Sequence, residues 1–124
     1  MVELSDLQWD EQGLMSVVIQ DVRTGAVLRL AQMNADALAR TRRTGEVYLW
    51  DPDQGKVARA GEDPRGGLHV VDIRVDCDSD ALLLRVNPAG PACGSGEWSC
   101  FFRRLSSPRA LSAIAWSHEA AEGE

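Results

Sequence analysis

The chain has 124 residues, 44% of them hydrophobic, which suits one domain with a modest core. Its formal charge of -6 argues against a polyanionic partner, so neither nucleic acid nor an anionic membrane surface is expected to bind it. No apolar run approaches the roughly 20 residues of a membrane span, and "MVELSDLQWDEQ" has neither the basic start nor the apolar centre of a signal peptide, so the expected location is cytoplasmic.

In chain order, "LMSVVIQD" and "AVLRLAQM" are apolar runs separated by Arg23-Thr24-Gly25, which predicts a β-hairpin. Asn34 is placed to cap a helix over "ADALARTRR", with Ala35, Leu38 and Ala39 on one face and Gly45 as its stop. "EVYLW" predicts a strand, and the Gly- and Pro-rich "DPDQGKVARAGEDPRGGL" a stretch that is largely loop. "HVVDIRVDCD" alternates as a half-buried strand, "ALLLRV" reads as a more buried one, and "NPAGPACGSG" as a loop before a final strand at "EWSCFFRRL". Ser107-Pro108 then opens a C-terminal helix bearing Leu111, Ile114, Ala115 and His118. The expected division is a metal-binding domain over residues 1–106 and a helical extension over 107–124.

The three cysteines, an odd number in a reducing compartment, cannot all pair, which leaves metal ligation or buried free thiols. In an extended strand Asp76, Asp78 and Asp80 line one face and Cys77 the other, so one segment serves two sites. Carboxylates at that spacing suit Mg²⁺ or Ca²⁺, whereas thiolates suit Zn²⁺. Cys93 and Cys100 flank a glycine-rich loop that can turn both sulfurs to one centre, with Cys77 third and water fourth. The plainer readings are free buried thiols and a solvated acidic strand end, and the C-x6-C spacing is less specific than paired C-x-x-C motifs.

Taken together, "VVDIRVDCDSDALLLRV", "GPAC" and "SCFF" resemble the phosphoribosyl-AMP cyclohydrolases of histidine biosynthesis. That family's pattern is Asp-Cys-Asp-x-Asp, then Gly-Pro-Ala-Cys-His-Thr-Gly, then Ser-Cys-Phe-Tyr. "GLMSVVIQDVRTGAVLRLAQMN" resembles the family's opening strands, with Gln32 where its tyrosine stands. The resemblance implies a β-rich α+β fold in an intertwined homodimer. It implies zinc held by Cys77 of one subunit with Cys93 and Cys100 of the other, and Mg²⁺ on Asp76, Asp78 and Asp80. It also implies hydrolytic opening of the purine ring of phosphoribosyl-AMP at the N1-C6 bond.

The ligand positions survive, but their surroundings do not. Gly94 stands where the family has a histidine, and Asp51-Pro52-Asp53-Gln54 where it has Ser-Arg-Ser-Arg. Gly61-Glu62-Asp63-Pro64-Arg65-Gly66 replaces a Gly-Glu-Thr-Ser-Gly motif, and Glu97-Trp98 replaces an arginine pair. These changes all act against phosphate, which is bound by arginine forks and hydroxyl donors. His69 shares strand parity with Cys77 but stands roughly 26 Å along the same strand at ~3.3 Å per residue. His118 reads as a packing or interface residue. Glu62 is the candidate general base, and Trp50 and Trp98 are candidates to line the substrate pocket. Three functions follow in order of expectation: metal-assisted hydrolysis or cyclisation of a small molecule without the phosphoribosyl group, a non-catalytic dimer with structural zinc, and the ordinary family reaction.

Overall fold

The computed structural model describes residues 1–61 and 67–106. Glu62, Asp63 and the C-terminal helix expected from Ser107-Pro108, with His118, lie outside the described residues. Among the described residues, two sheets, one α-helix and a short 3-10 turn at Leu4–Asp6 make up the fold. Strands β1 (Met15–Asp21), β2 (Val27–Met33), β5 (Leu68–Val75) and β6 (Ala81–Pro88) form a mixed sheet in the order β2-β1-β6-β5. The central β1–β6 pair is parallel, and both outer pairs are antiparallel. Strands β3 (Tyr48–Asp51) and β4 (Lys56–Arg59) form a separate hairpin.

Every second residue of β1 faces the core: Met15, Val17 and Ile19 are buried, as are Leu82, Leu84 and Val86 on the adjacent β6. Helix α1 (Ala35–Thr44) lays Ala37 and Leu38 into the same core, with Val47, Leu49 and Leu68. Each fully buried Leu or Ile contributes about 1.5–3 kcal/mol. The Asn34 side chain accepts from the Ala37 N–H, and Gly45, at φ +79°, donates its N–H to Thr41 O, so both helix signals act as expected. Gly67 has another role: a Cβ there would stand 2.7 Å from the Ala60 carbonyl oxygen and 3.1 Å from Glu46 Oε1. Only glycine lets these chain segments approach so closely.

Three expectations are corrected. The stretch after Trp50, expected to be largely loop, also carries a strand that the sequence did not reveal: Lys56–Arg59 pairs in register with Tyr48–Asp51 across a turn containing Gly55 at φ +63°. Its glycines and prolines bracket a strand too short to show periodicity. The strand from His69 does not continue through Asp80, but ends at Val75, and residues 76–80 form the turn into β6. Ser79 holds φ +62° there, a left-handed conformation that an extended reading cannot contain. A bulge between Val70 and Asp72 also breaks the parity assumed between His69 and Cys77. Finally, "EWSCFFRRL" forms no strand, although it lies against the edge of β2.

Thr41 joins the helix to the small hairpin. Its buried hydroxyl donates to Ala37 O at 2.8 Å and accepts from the Tyr48 N–H at 2.9 Å. Thr41→Val keeps the side chain's shape but strands that N–H, and is expected to cost about 1–3 kcal/mol. The check is a lower urea midpoint at unchanged slope; an unchanged midpoint would mean that the link is energetically idle.

Candidate metal centre and adjoining cavity

The β5–β6 turn is closed by the Asp76 carboxylate, whose Oδ1 accepts from the Asp80 N–H at 3.0 Å and the Ala81 N–H at 3.2 Å. This folds Asp76, Asp78 and Asp80 together, with one carboxylate oxygen from each within 4.8 Å of the others. They converge by turning, not by sharing a strand face. Desolvation opposes ionisation of Asp76, but hydrogen bonds from Asp80, Ala81 and Asp78 together outweigh it and hold its carboxyl below the ordinary range. Hydrogen bonding and charge from Asp78 and Asp76 push the Asp80 carboxyl up to about 6. Three exposed oxygen donors burdened by mutual repulsion fit a hard divalent cation, which would relieve that repulsion.

The second constellation sits on the loop after β6. Cys93 O accepts from the Gly96 N–H at 3.0 Å, the Cys93 N–H donates to Glu97 O at 3.2 Å, and the Ala92 N–H to Trp98 O at 3.1 Å. These bonds fold residues 92–98 into a tight loop. Its far end is fixed to β2, where the Cys100 N–H donates to Leu28 O at 2.7 Å and the Ser99 hydroxyl to Val27 O at 2.8 Å. As an edge strand, β2 has carbonyls free to accept these bonds. The arrangement brings the Cys93 and Cys100 thiols near enough to influence each other's ionisation. Ser95, 3.1 Å from the Cys93 sulfur, together with Cys100 and the charge of Arg29, holds the Cys93 thiol below its ordinary value. Burial pushes the Cys100 thiol up, and so does Cys93. The Cys93 sulfur is therefore easier to ionise than that of Cys100, and two sulfurs on one loop are a donor set that fits zinc once further ligands arrive. Cys77 is exposed in the β5–β6 turn and forms no three-ligand group with this pair within one chain, among the described residues.

A cavity of about 340 Å³ adjoins the thiol loop, with Gly94, Arg29, Trp50, Asp51, Asp53 and Arg59 among the residues in its wall. Trp50 lines this cavity. Trp98 is not in that wall; it lies beneath the Arg23 guanidinium, 5.9 Å from ring centre to cation. Asp51 turns part of its charge inward, its Oδ1 accepting from the Asp53 N–H at 2.9 Å and the Gln54 N–H at 3.2 Å. Asp53 is exposed. Arg59 is held by Glu46 at 3.1 Å. His69 is exposed on β5, opposite Asn87, and forms a bridge with Glu46, so it joins neither constellation. Arg29 and Ser95 were not singled out from the sequence. The available signal for Arg29 was a cation inside the apolar run "VLRLAQM".

The thiol loop has a second anchor. Asp21, 1% exposed at its side chain, accepts from the Arg23 N–H at 2.9 Å and pairs with the Arg23 guanidinium at 3.3 Å. Burial pushes the Asp21 carboxyl up, but hydrogen bonds from Arg23 and Trp98 outweigh it and hold it below 3.8. A depressed folded-state value means that this stabilisation is present in full above the ordinary carboxylate value and is lost as pH falls through the folded one. Asp21→Asn is expected to cost about 1.5–3 kcal/mol at neutral pH. It should also flatten the acid limb of the stability–pH curve below 3.8. Urea melts at several pH values test this, and a uniform loss across the acid range would contradict it.

Among the described residues no helix is long and apolar enough to cross a membrane. Residues 29–102 match the family model described as phosphoribosyl-AMP cyclohydrolase. A phosphoribosyl-AMP cyclohydrolase of Sphingopyxis alaskensis is 46% identical over 108 residues, covering 87% of this chain and 86% of that protein. Another from Archaeoglobus fulgidus is 46% identical over 100 residues, 81% of this chain and 93% of the relative. The histidine biosynthesis bifunctional protein HisIE of Pyrococcus furiosus is 40% identical over 115 residues, 92% of this chain and 54% of its own length. The aspartate turn and the thiol loop fall within the matched region, and with identity at this level over most of its length the chain belongs to the phosphoribosyl-AMP cyclohydrolase family.

Proposed function

We propose that the protein is a metal-dependent hydrolase that opens a cyclic C–N bond in a small heterocyclic substrate lacking the phosphoribosyl phosphate, in a biosynthetic pathway of the cytoplasm. The working unit is a homodimer in which Cys77 of one subunit completes the site of Cys93 and Cys100 of the other. The observation that carries the proposal is the thiol loop: two cysteines gathered at one centre, with Gly94 next to them opening onto a cavity. Exposure of Cys77, and of Phe101 and Phe102 just beyond Cys100, supports a partner surface at both ends of the site.

Zn²⁺, when bound, lowers the pKa of water to near neutrality and polarises the group under attack. Asp76, Asp78 and Asp80 would hold Mg²⁺, which would supply a positive charge for substrate oxygens beside the turn. The chain's own residues do the rest. Trp50 offers a flat apolar wall to a planar ring. The hydrogen bonds across residues 92–98 fix the thiol pair before substrate arrives, so little reorganisation is needed. Glu62, on the segment following Gly61 in the cavity wall, is assigned the proton-accepting role. Asp51 and Asp53 disfavour a phosphate at this rim.

A second reading is phosphoribosyl-AMP hydrolysis itself, which the names of the relatives and the cations Arg29 and Arg59 in the wall support. Zinc-loaded protein should be assayed on phosphoribosyl-AMP and on its phosphate-free nucleoside counterpart. Faster opening of the phosphate-free compound is the expected result. Preference for phosphoribosyl-AMP would establish the second reading, and inertness toward any cyclic C–N substrate would leave a non-catalytic zinc dimer.

A further inference from the structure

Arg29 stands apart from the other described arginines. Arg40, Arg59 and Arg85 are half-buried like it, and each has a carboxylate within 3.2 Å. Arg23 and Arg74 are exposed and paired, and Arg42, Arg43, Arg103 and Arg104 are exposed to water. Arg29 is the one half-buried arginine with no carboxylate partner among the described residues. Its single hydrogen bond, at 3.3 Å, goes to Ala92 O, which leaves most of its five N–H donors unused. These donors belong to the wall of the Trp50 cavity, next to the loop that carries the thiol pair.

We propose that Arg29 binds a carboxylate of the substrate, so that the natural substrate is a planar heterocycle bearing a single carboxylate. A guanidinium presents a flat fork that matches the two oxygens of a carboxylate, and a half-buried arginine without a carboxylate partner gains most from that pairing. Phosphate would meet the same fork but also Asp51 and Asp53, and its second negative charge doubles that repulsion. Trp50 in the same wall suits a ring attached to the carboxylate.

This inference narrows the substrate of the hydrolase proposed above, but its test requires no turnover. Zinc-loaded protein is titrated calorimetrically with benzoate and, separately, with inorganic phosphate, while the Arg29 Nε resonance is followed in ¹⁵N-arginine-labelled protein. Benzoate is expected to bind and to shift that resonance, and phosphate to bind more weakly. Arg29→Gln keeps a donor for Ala92 O and should weaken benzoate binding at least about tenfold at unchanged thermal midpoint. Arg29→Lys should recover only part of the loss. Equal benzoate affinity in wild type and Arg29→Gln, no benzoate binding by wild type, or stronger binding of phosphate would each overturn the inference. Lack of hydrolysis alongside Arg29-dependent benzoate binding would remove only the hydrolase reading.

Discussion

Chelation of the purified protein is expected to dissociate the dimer and to lower its thermal stability sharply, and each of Cys77→Ser, Cys93→Ser and Cys100→Ser is expected to do the same. Within one chain Cys93 and Cys100 lie near each other, while Cys77 is exposed on the β5–β6 turn and forms no three-ligand group with them. A site drawing on both subunits ties metal affinity to association, because neither subunit alone supplies enough donors. Apparent zinc binding energies of structural peptides are about 10–16 kcal/mol at neutral pH, more than the whole stability of a typical small domain at its lower end. Removing even an outer partner of a metal ligand costs about 10- to 100-fold in affinity, so loss of a ligand itself should exceed that. Elemental analysis and equilibrium sedimentation provide the check. One zinc per chain in wild type with stoichiometric loss in all three variants is expected; full occupancy in any one of them would exclude that cysteine from the site.

What the sequence conveyed about the site was the identity of its donors, and what it concealed was their geometry. The alternation of "HVVDIRVDCD" extends the strand through Asp80 on paper, because a period-two pattern looks the same whether or not the chain turns after Val75. In space Asp76 captures the N–H groups of Asp80 and Ala81, and Ser79 adopts a left-handed backbone, so the three carboxylates meet around a turn. The β1–β2 hairpin and α1 were legible because their signals are local: a glycine at the turn, an asparagine cap and a glycine stop. The β3–β4 hairpin was not, since four residues of strand between two turn-rich stretches carry too little periodicity. Arg29 was silent for a different reason. Its meaning depends on the absence of a carboxylate partner and on the nearness of the loop at Ala92, sixty-three residues away in sequence, and no spacing rule encodes either.

The protein is expected to be unable to replace the cyclohydrolase of a histidine-requiring strain. At ~6 Å a like-charge pair costs about 1–3 kcal/mol between water and protein-surface dielectrics. A substrate phosphate at the β3–β4 turn would meet Asp51 and Asp53, at positions where the sequence resemblance implies basic and hydroxylic residues in the family. Each missing arginine hydrogen bond removes about 1.5–3 kcal/mol more. Arg59 does not offset this fully, because Glu46 already engages its guanidinium. Together these terms weaken binding by about two to four orders of magnitude or more. The glycine at 94 adds a loss of roughly 10²–10⁴ in turnover if proton transfer there was the family's means of catalysis. The loss should be partly reversible, because Gly94 does not occupy the left-handed backbone region that only glycine tolerates well. Asp51→Ser also keeps an oxygen able to accept from the Asp53 and Gln54 N–H groups. A variant carrying Asp51→Ser, Pro52→Arg, Asp53→Ser, Gln54→Arg and Gly94→His is therefore expected to raise kcat/KM for phosphoribosyl-AMP by at least about 100-fold. Growth of the strain on unmodified protein at ordinary expression would show that the acidic rim does not exclude the phosphorylated substrate, and would make the family's own reaction the function of this chain.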